Sequence, residues 1–193
     1  MIIVIDVEAT CWDDRPYAEN METIELPAIA LSINGKVLSE FQTFIKPQID
    51  PKLSEFCTQL TSITQEQVDS APFFTEAYDG LIRWLGNQAD PSIMASWGDY
   101  DVKQLKRDCE RNHKRFPFKQ HVNLKRKFRM EFLRPQRYEG VSAALVSATQ
   151  FFGIPFEGRL HRGIDDSRMI VKVYQAMVQH NKPLNNKDII NVS

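Results

Sequence analysis

The sequence predicts an α/β domain on a mixed sheet: three antiparallel strands, then alternating helices and strands. Three observations predict it. Residues 1–10 open with a continuous apolar run, Ile2 to Ile5, the pattern of a strand buried on both faces. Asn34-Gly35 stands between two apolar runs, a strong short-range hairpin signal. From Phe73 onward, helical spacings alternate with short apolar runs.

Each element follows in order. After the first strand, residues 13–22 are polar and read as a loop over the strand end. Residues 24–33 and 36–45 form the hairpin, and Pro47 and Pro51 end its second strand. Two segments follow, 58–68 and 73–85. The second carries Phe74, Ala77, Tyr78, Leu81, Ile82 and Leu85 at helical spacing, with Pro72 at its entry. A fourth strand covers 92–96, a helix runs from Asp99 to about residue 113, and a short fifth strand surrounds Val122. Residues 124–132 and 141–152 read as helices, the latter ended by Gly153 and Pro155. A last helix spans about 163–179, with Met169, Ile170, Val173, Tyr174, Met177 and Val178 as its apolar face. Residues 1–180 are expected to form one domain, and 181–193 a frayed tail.

The chain of 193 residues has ordinary composition and a formal net charge of −1. No stretch approaches the ~18 apolar residues of a membrane span. The N-terminal apolar run is too short for a signal peptide and lacks a basic flank. Cys11, Cys57 and Cys109 are odd in number and lack paired metal spacing, which points to a reducing compartment, with the cytoplasm as the default. The near-neutral charge hides an asymmetry. Residues 103–137 hold Lys103, Lys106, Arg107, Arg111, Lys114, Arg115, Lys119, Lys125, Arg126, Lys127, Arg129, Arg134 and Arg137 against Asp108, Glu110 and Glu131. Such a segment reads either as a phosphate-backbone surface or as a solvated helical face.

Chemistry concentrates in a few acids. In a strand, Asp6 and Glu8 point to the same side. Two carboxylates held that close call for a cation, and oxygen ligands suit Mg²⁺ or Mn²⁺. Alone, the pair reads equally as two solvated acids at a strand end. In 99–105, helical spacing sets Asp101 inward with Leu105 and Cys109, and Asp99 outward with Lys103 and Lys106, as an N-cap. In 161–168, Asp166 shares the face of Met169, Ile170 and Val173, and Asp165 that of Arg168 and Lys172. Asp165 then serves the helix dipole. An inward carboxylate needs a partner, so Asp101 and Asp166 are the ligand candidates. His161 precedes Asp166 by five positions on a loop bordered by Gly158 and Gly163.

These blocks, Asp6-x-Glu8, Tyr100-Asp101 and His161 with Asp166, resemble in order and spacing the DEDDh class of 3′-to-5′ exonucleases. Residues 7–11, 25–27, 56–64, 96–101, 123–125 and 161–166 further resemble the subgroup of histone-mRNA and small-interfering-RNA exonucleases. The resemblance implies a ribonuclease-H-like fold with a five-stranded mixed sheet flanked by helices. It implies two Mg²⁺ ions, with Mn²⁺ as a substitute, held by Asp6, Glu8, Asp101 and Asp166, with Asp6 bridging. It assigns catalysis to His161, as base, and Glu8, with nucleoside 5′-monophosphates as products. The substrate is expected to be a single-stranded 3′ end, RNA favoured and DNA admitted, with no membrane partner. Ala9, Thr10 and Cys11 are expected near the terminal nucleotide, Trp12 to stack on a base, and Leu60 and Thr61 to hold the terminal sugar. The basic segment would guide the strand. The animal RNA-specific members of the subgroup carry a further nucleic-acid-binding domain, for which this chain has no room. The rival readings are a hydrolase of very short oligonucleotides, a ribonuclease-H-type endonuclease, and an inactive nucleic-acid-binding module.

Overall fold

A computed structural model describes residues 1–15, 19–86, 93–133 and 142–192. In chain order the elements are β1 (Ile2–Val4), β2 (Glu8–Ala9), β3 (Thr23–Leu31), β4 (Val37–Phe44), α1 (Glu55–Thr61), α2 (Gln65–Asp69), α3 (Phe74–Leu85), β5 (Ile93–Ser96), α4 (Tyr100–Arg111), β6 (Gln120–Asn123), α5 (Leu124–Glu131), α6 (Leu145–Phe151), α7 (Gly163–Gln179) and β7 (Ile189–Asn191). They form one mixed sheet in the order β2-β3-β1-β5-β6-β7, with β4 paired to β3. β1 runs antiparallel to β3 and parallel to β5, and β6 is parallel to β5.

The run Ile2 to Ile5 is continuously apolar because both faces of the sheet are covered. Ile2 and Val4 pack with α5, α6 and α7, while Ile3 and Ile5 pack with α3 and α4. A third, smaller core of Ala9, Cys11, Ile24, Leu53, Cys57, Ile63 and Val68 lies under α1 and α2. The hairpin forms as its sequence requires: Gly35 adopts φ +81° and donates its N–H to the Ser32 carbonyl at 2.9 Å.

The α/β architecture holds, and the described sheet gains two strands over the expected five. One comes from the tail after residue 180. Instead of fraying, it buries Leu184 and pairs β7 antiparallel to β6. Lys127 of α5, inside the basic segment, is buried and ion-paired with Asp188 at 2.8 Å. The other comes from a break in the first strand. The register Val4↔Ile29 continues to Glu8↔Glu25, which sets Asp6 opposite Pro27. Proline has no N–H to donate, so the ladder opens there. Segment 58–68 likewise divides, because Ser62 takes a left-handed conformation and Thr64 opens a capping box for α2. The expected strand start at Ser92, the helix start at Val141, and Arg134 and Arg137 lie outside the described residues.

Candidate active site

The opened first strand builds the site. The Ile5 N–H donates to the Ala95 carbonyl of β5 at 2.9 Å; the Val7 N–H, on the same edge two residues on, donates to Asp101 Oδ1 at 3.0 Å. That bond ties the first turn of α4 to the strand carrying Asp6 and Glu8. The start of α7 fills the gap on the other side. A Cβ at Gly163 would lie 2.5 Å from the Asp6 carbonyl oxygen and 3.1 Å from Pro27, so only glycine lets the helix approach this closely. Asp166, one turn along, is thereby brought to the same place.

Four acids expected from different segments therefore come near enough to act on one another's charge. Glu8, Asp101 and Asp166 are buried, and Asp6 is partly buried. Burial holds the Asp6 carboxyl well above the usual range, reinforced by Asp101, Glu8 and Asp166. Burial does the same to Glu8, reinforced first by Asp166. Burial pushes Asp101 and Asp166 up to about 7, against the hydrogen bonds each accepts from a backbone N–H. Carboxylates that repel one another in a pocket are balanced by cations. Two observations show that the donors fit one. Glu8, His161 and Asp166 each offer a ligand atom, all within 4.8 Å of one another. Asp166 Oδ1 is buried without a hydrogen-bond partner among the described residues.

The paired acids separate as the helix faces predict. Asp99 is exposed at the N-cap position, yet its side chain makes no capping bond; Oδ1 accepts from Asn123 at 2.9 Å. Asp165 does not act through the helix dipole alone: its carboxylate accepts the Arg159 N–H at 2.9 Å and sits where a Cβ of Gly158 would fall. His161 is exposed at φ +62°, with its N–H donated to Asp166 Oδ2 at 2.8 Å. Partial burial lowers its pKa, so the imidazole is neutral at pH 7.

The residues expected to meet the substrate divide. Trp12 and Leu60 are partly exposed and pack on the small core beside β2. Ala9, Thr10 and Cys11 are buried, and Thr10 Oγ1 accepts the Glu22 N–H at 3.0 Å. Thr61 is fully enclosed; its hydroxyl donates to the Cys57 carbonyl at 2.8 Å and accepts the Ile63 N–H at 3.1 Å. Ser54 joins this layer to the strand end, donating to the Cys11 carbonyl at 2.6 Å. Part of the basic segment is held by partners within the fold. Arg111 binds Asp108 and the carbonyls of Met21 and Glu19, Lys114 pairs with Asp79, and Lys127 is buried.

Sequence reasoning missed two groups. Ser96, beside Asp101, donates its hydroxyl to the Gly98 carbonyl at 2.9 Å and lies 2.8 Å from Nε2 of the buried His121. Glu25 is a fully buried fifth carboxyl opposite Glu8. An acid inside the apolar run of β3 was the signal for it.

Against known proteins, the exonuclease (RNase_T) family model matches residues 3–174. The ERI1 exoribonuclease 2 of Danio rerio is 34% identical over 199 residues, which is 92% of this chain and 35% of the relative. The 3′-5′ exonuclease Snipper of Drosophila melanogaster is 31% identical over 201 residues, 92% of this chain and 69% of the relative. This chain spans 28% to 35% of the ERI1 exoribonuclease 2 proteins it matches. The nuclease domain of 3′hExo, a DEDDh family member solved bound to rAMP, superposes with TM-score 0.86 at 28% identity, covering 97% of this chain and 96% of that one. The family match spans all four acids and the histidine, and the fold agrees over almost the whole chain; the chain belongs to the exonuclease (RNase_T) family, in its DEDDh group with a ribonuclease-H-like α/β fold.

Proposed function

We propose that this protein is a divalent-metal-dependent 3′-5′ exonuclease that removes nucleoside 5′-monophosphates from the 3′ ends of RNA, and of single-stranded DNA to a lesser degree. The observation that carries the reading is the convergence of Asp6, Glu8, Asp101 and Asp166 beside a neutral His161. The four acids would hold two Mg²⁺ ions, with Mn²⁺ as a substitute. Such ions neutralise the carboxylates and stabilise the attacking and leaving oxygens of a phosphodiester.

The chain's own groups do the rest. His161, neutral at working pH and exposed toward solvent, takes the proton of the attacking water. Asp166 fixes the His161 backbone through the bond to its N–H. Trp12 and Leu60 offer the terminal nucleotide an apolar contact beside the metal strand, where stacking tolerates any base. Ala9, Thr10 and Cys11 act through backbone position, because their side chains are buried. The buried cysteines suit a reducing compartment, the cytoplasm.

The test uses RNA labelled at its 3′ end, with Mg²⁺ or Mn²⁺. The expected result is release of the label first, as a mononucleotide, abolished by Asp101→Ala and slowed about 100- to 10,000-fold by His161→Ala. Label released first in 3′-terminal oligonucleotides longer than one nucleotide, or undiminished degradation by both variants, overturns the reading.

A further inference from the structure

Glu25 is fully buried on β3, in register with Glu8 on the adjacent strand. It adds a fifth carboxyl to a pocket in which four already repel, and its charge raises Asp6, Glu8 and Asp166 further. That is electrostatically adverse, so a role for it must lie in its contacts.

Those contacts converge on one place. Oε1 accepts Gln42 Nε2 at 2.6 Å. Oε2 accepts two donors, the Gly163 backbone N–H at 3.0 Å and Arg162 Nε at 3.3 Å. Arg162 is the N-cap residue of α7 and Gly163 its first residue. Both directly follow His161. No side chain caps this helix locally, so Glu25, from a distant strand, satisfies an otherwise unpaired N–H of its first turn. The Arg162 guanidinium carbon also lies 5.3 Å from the centre of the Phe44 ring.

His161 sits in the left-handed region, which a non-glycine residue holds only when its surroundings fix it. Asp166 anchors its N–H, and Glu25 anchors the two residues after it. A single carboxylate oxygen taking both a backbone N–H and a guanidinium N–H is a task a neutral amide performs poorly.

We propose that Glu25 is a positioning residue for catalysis: it sets His161 over the metal acids by fastening Arg162 and Gly163 to the strand beside Glu8. This inference rests on the proposed function, in which His161 is the base. Glu25 touches neither substrate nor water in this role and acts through the backbone that carries the imidazole.

The experiment compares Glu25→Gln, Arg162→Ala, His161→Ala and the double variants Glu25→Gln/His161→Ala and Arg162→Ala/His161→Ala. Rates of 3′-label release are taken at saturating RNA and Mn²⁺, with Mn²⁺ affinity measured separately by titration. Loss of a group that orients a catalytic residue lowers kcat at saturating Mn²⁺ about 10- to 100-fold with KM little changed; Glu25→Gln also weakens Mn²⁺ binding by removing a charge beside the acids, whereas Arg162→Ala does not. In the His161→Ala background, Glu25→Gln has no further effect, because the group it positions is gone. Arg162→Ala shows the same dependence on His161 and decides the matter if Glu25→Gln does not fold. Equal losses with and without His161, a loss confined to KM or metal affinity, or an unchanged kcat overturns the proposal. If His161→Ala itself keeps full activity, the base assignment fails, and this inference falls with it. If His161→Ala is impaired and the losses are additive, only the positioning role fails.

Discussion

Single residues at this site trade stability against function. Asp101 accepts the Val7 N–H and is buried, with its carboxyl pushed up to about 7. An asparagine keeps the accepting oxygen and removes the charge. Asp101→Asn is therefore expected to raise the melting temperature of the metal-free protein at pH 8 by several degrees. On the proposed function, the same variant loses at least about 100-fold in kcat, since a charge that would hold the metal is gone. Calorimetry and a 3′-label assay on one preparation check both halves; a variant that is both less stable and fully active contradicts the placement of Asp101. Gly163 makes the opposite case. Its missing Cβ admits the Asp6 carbonyl, so Gly163→Ala must push α7 away from the strand. Overpacking of this kind costs about 1–3 kcal/mol. Activity falls with it, because Asp166 and His161 move with the helix. Chemical denaturation measures the first effect and label release the second.

At the scale of elements, helix faces were legible from sequence and strand breaks were not. The spacing of Leu105 and Cys109 distinguished Asp101 from Asp99, because an amphipathic helix buries one stripe wherever it packs. Asp166 was separated from Asp165 by the same logic. The division of the first strand was hidden, since its cause lies in Pro27, about twenty residues away, on a partner whose register no local pattern reveals. The enclosure of Thr61 was hidden for a related reason: its neighbours in space seal it, and nothing local to the chain shows that. The tail was expected to fray because it is polar, yet β6 offered an open edge and Lys127 a buried charge. The Lys127–Asp188 pair carries an expectation of its own. Removing one partner of a buried ion pair costs about 3–5 kcal/mol. Asp188→Ala should thus lower the unfolding midpoint markedly while leaving kcat at low temperature near the parent value. A midpoint equal to the parent's would mean that the tail contributes nothing to the fold.

Across the whole molecule, the pocket of repelling acids ties stability to pH and to metal. Asp101 and Asp166 titrate near 7 in the fold, against about 4 in an unfolded chain. A raised folded pKa means that the fold keeps protons the unfolded chain has released. Its stabilising contribution is complete below about pH 4 and is lost as pH rises through about 7. The metal-free protein is therefore expected to melt at a lower temperature at pH 8 than at pH 5. Divalent ions that bind the folded state alone reverse this by mass action, so added Mn²⁺ should raise the melting temperature more at pH 8 than at pH 5. Scanning calorimetry with and without chelator tests it; a metal effect equal at both pH values would locate binding away from these acids.

The amino-acid sequence by itself determined the α/β fold class, the hairpin and the inward faces of α4 and α7, each through periodicity or turn chemistry along the chain. Its resemblance to the DEDDh class singled out the four acids and the histidine as candidates. Only the tertiary structure decided that Pro27 opens the first strand, that Asp101 takes the buried Val7 N–H, and that Glu25 reaches across to hold the residues after His161. The physical reason is that backbone hydrogen bonds and buried charges must be satisfied in three dimensions, by whichever group the packing brings near, and distance along the chain does not record which group that is.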